Sequence, residues 1–270
     1  MALTFPEIDP VALAIGPLQI RWYALAYLAG IIGGWKYAMW LGRQDEAIGR
    51  RPNAQDADTI LPWIVLGIIL GGRLGYVLFY NLPFYLENPS HILHLWEGGM
   101  SFHGGLLGVA VACITYARVN KFNPLAMGDM VATVVPIGLF FGRIANFING
   151  ELFGRVTNVP WAMIFPHSGD LPRHPSQLYE AFLEGLVLFV VLWLCARRPE
   201  IRRAPGMLFG IFTIGYAISR FMIEFVREPD PQIGLIAQYF TLGQLLCLPM
   251  MLAGALLIVY ARKHRPAAAA

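Results

Sequence analysis

The sequence carries little charge for its length. Asp, Glu, Lys and Arg make up 14% of its 270 residues, against about 25% in soluble domains. Hydrophobic residues reach 57% and the mean hydropathy is +0.55, which excludes a soluble globule, a disordered chain and a coiled coil. The net charge of +3 is too small and too scattered for a nucleic-acid-binding face. The class that remains is an all-α, polytopic integral membrane protein.

Cysteines and common catalytic motifs are also scarce. The three cysteines lie in apolar runs without CxxC spacing, so they suggest neither a disulfide framework nor a cysteine zinc site. The chain has no GxSxG, HExxH or Walker A motif. A direct transfer in which the substrate supplies the nucleophile therefore fits better than a covalent enzyme intermediate. Since residues 1–17 contain no basic residue, we expect no cleaved signal peptide.

Seven stretches are long and apolar enough to predict transmembrane helices. They lie near 21–41, 59–80, 99–117, 127–147, 178–196, 207–226 and 238–260. Twelve of the 20 basic residues fall in the segments 42–58, 118–126, 197–206 and 261–270, and four lie in the opposite segments or at their edge. Because Lys and Arg favour the cytoplasmic side, we expect one membrane domain, residues 1–270, with its N-terminus outside and its C-terminus cytoplasmic. Residues 148–177 then form an outer arm.

Polar side chains gather near the outer ends of six of these spans. They are Tyr23, Arg73, His103, Arg143, Asn146, Glu180, Glu184, Arg220 and Glu224. Charge inside a membrane is costly and marks a functional site by default. For Arg73, Glu180 and Glu184, a salt bridge that fixes helix packing is an equally good interpretation.

Spacing and chemistry narrow the kind of site. Tyr216, Arg220 and Glu224 share one helix face, and Arg220 and Glu224 are placed to pair. Two arginines, Arg143 and Arg220, exceed what one salt bridge explains, and guanidinium groups bind phosphate through paired donors. Phospholipid is the phosphate available at this depth.

A histidine accompanies the arginines. An imidazole can accept a proton from a nucleophile, so His103 is a candidate base. The glycines that follow it, beginning with Gly104, would let the backbone approach a ligand closely.

Four stretches are similar to the signatures of one bacterial enzyme family. They are GRIANFINGE at 142–151, SFHGGLLG at 101–108, HPSQLYE at 174–180, and 215–230, which contains Tyr216, Arg220 and Asp230. The chain resembles the prolipoprotein diacylglyceryl transferases from residue 5 to its last span. That resemblance implies transfer of the diacylglyceryl group of phosphatidylglycerol to the lipobox cysteine of a prolipoprotein. A thioether forms, glycerol-1-phosphate leaves, and no cofactor, metal or nucleotide is involved.

The resemblance also implies roles for individual residues. Arg143 holds the phosphatidylglycerol head group, Arg220 stabilises the departing phosphate, and His103 or Tyr216 takes the thiol proton. The other implied substrate-binding residues are Asn146, Asn149, Glu151, Gly154, Tyr23 and Gly104, supported by Glu224, Arg73 and Arg227. The expected location is the bacterial inner membrane, with the site facing the periplasm.

Two other readings compete with this one. A lipid or anion transporter also lines its path with arginines, but the inner halves of the spans are nearly uncharged, with Lys36 and Asp129 as exceptions. A packing scaffold predicts that exchanging Arg143 or Arg220 affects assembly and not lipid chemistry.

Overall fold

The computed structural model is mostly helical and describes residues 3–6, 8–49, 52–166, 168–229, 236 and 239–265. Arg50 and Arg51, which contribute to the predicted orientation, and Asp230, which contributes to the family resemblance, lie outside the described residues.

The helices are α1 (Trp22–Glu46), α2 (Ala54–Thr59), α3 (Leu61–Phe79), α4 (Leu82–Glu87), α5 (Phe102–Val119), α6 (Pro124–Ile148), α7 (Ser176–Glu180), α8 (Leu188–Ala196), α9 (Pro199–Arg202), α10 (Met207–Ile223) and α11 (Leu242–Lys263). Two 3-10 turns, Pro89–Leu93 and Leu95–Glu97, precede α5, and a π-helix, Ala181–Val187, joins α7 to α8. The short strands are β1 (Leu3–Thr4), β2 (Val11–Ile15), β3 (Leu18–Arg21) and β4 (Met163–Ile164).

Each of the seven predicted spans coincides with helical structure. Within the described residues, five helical segments are long and apolar enough to cross a membrane: Ala54–Phe79, Phe102–Val119, Pro124–Ile148, Ser176–Ala196 and Leu242–Lys263. In each segment, at most 33% of the most apolar stretch is buried inside the chain. Most of the surface of these helices is therefore available to lipid. The shorter α10 is also apolar, whereas α1, which carries Lys36, is not among the five segments. The chain is mostly helical and has five candidate membrane spans among the described residues, which agrees with an all-α membrane protein; seven spans and their orientation remain predictions.

The chain divides into two compact units, Met1–Ala38 with Asp129–Ala270, and Met39–Gly128. In the first unit, β1 pairs in parallel with β4, with Leu3 opposite Met163. β2 and β3 form an antiparallel hairpin just before α1. These short strands are an addition that the all-α prediction did not include.

An acidic side chain fixes the start of α10 in the first unit. The two carboxylate oxygens of Asp129 accept hydrogen bonds from the backbone nitrogens of Gly206 and Phe209, each at 2.9 Å. They therefore satisfy donors that a helix N-terminus leaves open. Asp129 is buried and therefore has a structural role at the start of α10. It is also one of the two charged residues in the inner halves of the spans, which a transport path would use.

In the second unit, α3 and α5 pack at very short range through glycines. A Cβ added at Gly75 would lie 2.7 Å from the Cα of Gly104, and one at Gly67 would lie 2.6 Å from the Gly108 carbonyl oxygen. Since real Cβ atoms do not approach backbone that closely, only glycine permits this contact. The glycine spacing in both predicted spans is therefore used for helix packing.

Candidate active site

A fully buried carboxylate, Glu180, lies at the centre of the polar cluster in the first unit. Its Oε2 is 3.0 Å from Arg143 Nε, and its Oε1 is 3.1 Å from Arg220 Nη1 and 2.7 Å from Arg227 Nη1. One glutamate therefore holds three guanidinium groups, which come from α6, α10 and the segment that follows α10.

Close helix packing brings these groups together. A Cβ added at Gly185, in the π-helix, would lie 2.8 Å from the Cα of Phe140 on α6. Glycine thus lets the helix that carries Glu180 approach the helix that carries Arg143. The π-helix is itself an unusual turn that occurs frequently at functional sites.

Glu224 supplies a second carboxylate to the cluster. It forms an ion pair with Arg220 at i, i+4, as the spacing predicts, and its Oε1 is 4.0 Å from Arg227 Nε. Arg155 donates from Nε to the Arg227 carbonyl oxygen at 2.8 Å and from Nη2 to that of Glu224 at 3.5 Å. The chain just beyond α10 is therefore fixed against the outer arm.

A third carboxylate, Glu184, is fully buried one turn after Glu180. Within the described residues neither of its oxygens has a hydrogen-bond partner. Tyr216 lies close enough to interact electrostatically with Glu184, Arg220 and Arg143. Tyr216 and both predicted phosphate-binding arginines thus belong to one cluster.

The arginines keep binding capacity beyond their glutamate contacts. The side chains of Arg143 and Arg220 are each 18% exposed, whereas Glu180 is 0% exposed. Within the described part of the chain, Arg143 contacts a carboxylate through Nε alone, which leaves its two terminal nitrogens for a ligand. The partly exposed groups of the cluster are thus positively charged and Glu180 is buried, and guanidinium groups have the charge and donor geometry that suit an anion.

The loop after α6 is tied together by Glu151. Its Oε1 accepts hydrogen bonds from Asn146 Nδ2 at 2.8 Å and Asn149 Nδ2 at 3.2 Å, and its carbonyl oxygen accepts one from Gln177 Nε2 at 2.6 Å. The next residue, Leu152, has a φ of 59°, a conformation that costs a non-glycine residue energy and is found at functional sites. Asn146, Asn149 and Glu151 are therefore one hydrogen-bonded unit.

Gly154 lies where two backbone segments meet. Its nitrogen donates to the His174 carbonyl oxygen at 2.8 Å, and it forms an isolated bridge with Arg227. A Cβ at this position would collide with the Val226 carbonyl oxygen and with His174. The glycine thus connects the arm to the segment that supplies one arginine of the cluster.

The outer arm also contains a hydrogen-bonded group of aromatic and polar side chains, in which His174 and Tyr179 are partly buried and Trp161 is exposed. His174 Nδ1 lies 3.2 Å from the Tyr179 hydroxyl, to which Trp161 Nε1 donates at 2.5 Å. Burial lowers the pKa of His174 below its ordinary value, because a charged imidazolium is less well solvated there.

Tyr23 opens α1 in the same unit. Its hydroxyl lies 3.2 Å from that of Tyr27, and the two rings are 4.9 Å apart. Arg143 and Glu151 are near enough to interact electrostatically with its hydroxyl. Tyr23 is exposed, a position that suits the predicted closing role.

The remaining predicted residues belong to the second unit. His103 is exposed at the start of α5, beside Phe102, with the two rings 5.6 Å apart. Gly104 donates from its nitrogen to the helix-capping Ser101 Oγ at 3.2 Å and packs against α3. The structure thus gives Gly104 a packing role, and its substrate-binding role remains a prediction.

Arg73 is buried in the second unit, and it binds backbone carbonyls where a salt bridge was one expectation. Its guanidinium donates to the carbonyl oxygens of five residues: His91, Ile92, His94, Gly98 and Gly99. It therefore holds the connection between α3 and α5 in place, and its supporting role at the substrate site remains a prediction.

Sequence reasoning missed part of the cluster. Glu180 was given a structural interpretation as readily as a functional one, yet it contacts all three arginines. Arg155 and Gln177 were not among the predicted site residues. Gln177 had a sequence signal, since it is a polar residue at the start of an apolar span. The structure shows that its side chain is fully buried.

Comparisons with known proteins show which family this chain belongs to. The family model described as prolipoprotein diacylglyceryl transferase matches residues 10–260. A phosphatidylglycerol–prolipoprotein diacylglyceryl transferase from Rhodospirillum rubrum is 57% identical over 270 residues, covering 99% of this chain and 97% of the relative. The protein of the same name from Azospirillum brasilense is 57% identical and covered to 99%, as is this chain. That from Rhodospirillum centenum is 53% identical, with 99% and 98% covered.

Proposed function

Because the chain belongs to the prolipoprotein diacylglyceryl transferase family, we propose that it transfers the diacylglyceryl group of phosphatidylglycerol to a prolipoprotein cysteine. The observation that carries this proposal is the set of three arginines around Glu180, each with a partly exposed side chain. An anionic lipid head group at the membrane surface matches that set in charge and in hydrogen-bonding geometry.

The reaction is a direct displacement in which the lipobox thiol is the nucleophile. Its sulfur forms a bond to the glyceryl carbon that carries the phosphate, and the carbon–oxygen bond to that phosphate breaks. The electron pair leaves on the phosphate oxygen, glycerol-1-phosphate departs, and the thiol proton passes to a base. Guanidinium groups that meet the developing phosphate charge stabilise the transition state.

Arg143 and Arg220 divide this work in the proposal. Arg143 holds the phosphodiester through its terminal nitrogens while Glu180 fixes its Nε. Arg220, held by Glu180 and Glu224, meets the charge on the leaving phosphate. The Asn146–Asn149–Glu151 unit orients the donor, and Tyr23 closes over it.

The base is either His103 or Tyr216. A free thiol has a pKa near about 8.5, and the thiolate is the better nucleophile, so either a proton acceptor or nearby arginine charge favours the reaction. His103→Gln and Tyr216→Phe separate the two. The variant that lacks the base should lose turnover and recover part of it as pH rises towards the thiol pKa.

We also propose a single membrane domain with seven spans, an outer N-terminus and a cytoplasmic C-terminus. The positive-inside bias supports this topology, as does the coincidence of seven predicted spans with helices. It places the site at the periplasmic face of the inner membrane, where an exported prolipoprotein presents its lipobox.

The experiment that tests this proposal uses purified protein in detergent with phosphatidylglycerol and a lipobox peptide. Glycerol phosphate release is compared for wild type, Arg143→Ala, and the control Arg197→Ala, which removes an arginine that stacks on Trp193 outside the cluster. We expect release that needs both Arg143 and the peptide cysteine, and that survives in the control. Well-folded protein that releases no glycerol phosphate but moves lipid or anions across liposomes would instead establish a transporter.

A further inference from the structure

Two histidines and a glutamate converge in the connection between α3 and α5, in the second unit. His91, His94 and Glu97 follow one another at intervals of three residues along the two 3-10 turns. His91 Nδ1 lies 3.0 Å from Glu97 Oε2, and His94 Nδ1 lies 3.0 Å from Glu97 Oε1. Ligand atoms of the three side chains all lie within 4.8 Å of one another.

The backbone beneath this group is held by Arg73. Its buried guanidinium binds the carbonyl oxygens of His91 and His94 and those of the glycines just after Glu97. The guanidinium also lies over the Tyr85 ring, 5.1 Å from its centroid. All three side chains thus project from a segment whose main chain is fixed from the inside, and binding a ligand there needs little ordering.

Neighbouring rings limit the rotation of the histidines. The His91 and His94 rings are 4.6 Å apart, Phe84 contacts His91 edge to face at 5.5 Å, and Trp96 stacks on His94 at 4.8 Å. Each histidine is about one-third exposed, so the group is preorganised and also accessible from outside the protein.

We propose that His91, His94 and Glu97 form a binding site for a divalent transition-metal ion, with Zn²⁺ the best match. Zinc bonds to histidine nitrogen and carboxylate oxygen are about 2.0–2.2 Å long, and a tetrahedral arrangement then separates its ligand atoms by roughly 3.4 Å. The observed nitrogen–oxygen distances of 3.0 Å join the two histidines to different oxygens of Glu97, and the ligand atoms all lie within 4.8 Å of one another, so the three side chains adjust to reach that spacing. Two imidazoles and one carboxylate leave one position for water, and they disfavour Mg²⁺ and Ca²⁺, which take oxygen ligands.

Binding exchanges protons and hydrogen bonds for metal bonds. For Nδ1 of either imidazole to bind the ion, it gives up its hydrogen bond to Glu97 and presents its lone pair, so the one proton of the neutral ring is then carried on Nε2; an imidazolium would release its second proton to solvent. The ion would cross-link the segment that Arg73 holds from below. This site lies outside the arginine cluster, and its metal chemistry is independent of the proposed transfer reaction.

The competing interpretation is a histidine–glutamate hydrogen-bonded group that takes no metal. The test uses full-length protein in detergent, stripped with a chelator and free of any histidine tag, titrated with Zn²⁺ and separately with Mg²⁺ by calorimetry. Co²⁺ substitution adds a readout, because its absorption spectrum reports a tetrahedral nitrogen–oxygen site. The variants are Glu97→Gln and His94→Ala, and the matched control is His264→Asn, an exposed histidine at the end of α11.

We expect one Zn²⁺ per chain, no saturable Mg²⁺ binding, and a loss of Zn²⁺ affinity of at least about tenfold in either ligand variant. The control should bind Zn²⁺ as wild type does, and thermal midpoints without metal show that the variants are folded. The proposal is overturned if Zn²⁺ does not bind saturably, or if it binds equally well to Glu97→Gln and His94→Ala. Either result is separable from the proposed function, since glycerol phosphate release is not the readout.

Discussion

Replacing Glu180 by glutamine tests whether one carboxylate organises the candidate active site. The substitution keeps the shape and one acceptor oxygen but removes the charge that Arg143, Arg220 and Arg227 share. It also directs an amide donor at one of the guanidinium groups. The three arginines then repel one another more strongly, because only Glu224 and Glu184 remain in the cluster as acidic groups.

The size of the effect follows from the burial of Glu180. Removing one partner of a buried ion pair costs about 3–5 kcal/mol, because the other charge is left uncompensated. Here the arginine side chains are partly exposed, so solvent screens part of the repulsion, and we expect a cost near the lower bound of about 3 kcal/mol. At about 2–4 °C per kcal/mol for a chain of this size, the thermal midpoint should fall by at least about 6 °C.

The assay combines thermal unfolding in detergent with steady-state transfer kinetics. In Glu180→Gln the cluster keeps its positive charge, so phosphatidylglycerol should bind at least as tightly as in wild type while kcat falls at least about tenfold. A positioning residue is expected to give that separation of KM from kcat. The matched control is Glu228→Gln, since Glu228 pairs with Arg173 at 2.8 Å but is half exposed, and exposed pairs contribute about 0–1 kcal/mol.

The reasoning is refuted if Glu180→Gln and Glu228→Gln behave alike in both measurements. An unchanged midpoint would mean that the three arginines do not depend on Glu180. An equal loss of binding and turnover would mean that Glu180 does more than orient them.

Three further predictions concern the arm and the second unit. Gly154→Ala should lower the thermal midpoint and the transfer rate, because overpacking costs about 1–3 kcal/mol. A Cβ at Gly138 would meet nothing within 4 Å, so the control Gly138→Ala should lower neither the midpoint nor the rate. Burial lowers the pKa of His174 in the folded protein, so the unfolded chain protonates this histidine first as pH falls below about 6.5. The free energy of unfolding should therefore decrease below that pH, and thermal unfolding over a pH series should show a smaller decrease in His174→Asn. Arg73→Lys retains the charge but offers only three donors to the five carbonyl oxygens. Amide hydrogen exchange of residues 91–99 should therefore be faster in the variant than in the wild type. Equal protection of these amides in both proteins would contradict this.

The sequence predicted the helices well because apolar runs about 20 residues long are a strong, local signal. Arg143 and Arg220 stood out for the same reason, since charge is rare in such runs. The pairing of Arg220 with Glu224 also follows from helix geometry alone, and the structure confirms it.

The role of Glu180 could not be predicted in this way. Its three arginine partners come from other segments, so their convergence depends on helix packing that hydropathy does not encode. The β2–β3 hairpin was missed because a two-stranded ribbon has only a weak local signal. Arg73 was visible as a charge, but its partners are backbone carbonyls, which no side-chain pattern reveals.

The π-helix at Ala181–Val187 has a consequence for how related chains can vary. An i, i+5 turn holds one residue more than an α-helical turn, and each residue of an α-helix turns the chain by about 100°. Deleting one residue there would restore a regular helix but rotate Ser176–Glu180 away from Arg143 while Leu188–Ala196 kept its place. Helix length, and not only side-chain identity, therefore determines where the carboxylate points, and a one-residue deletion would disable the cluster with every polar residue still present.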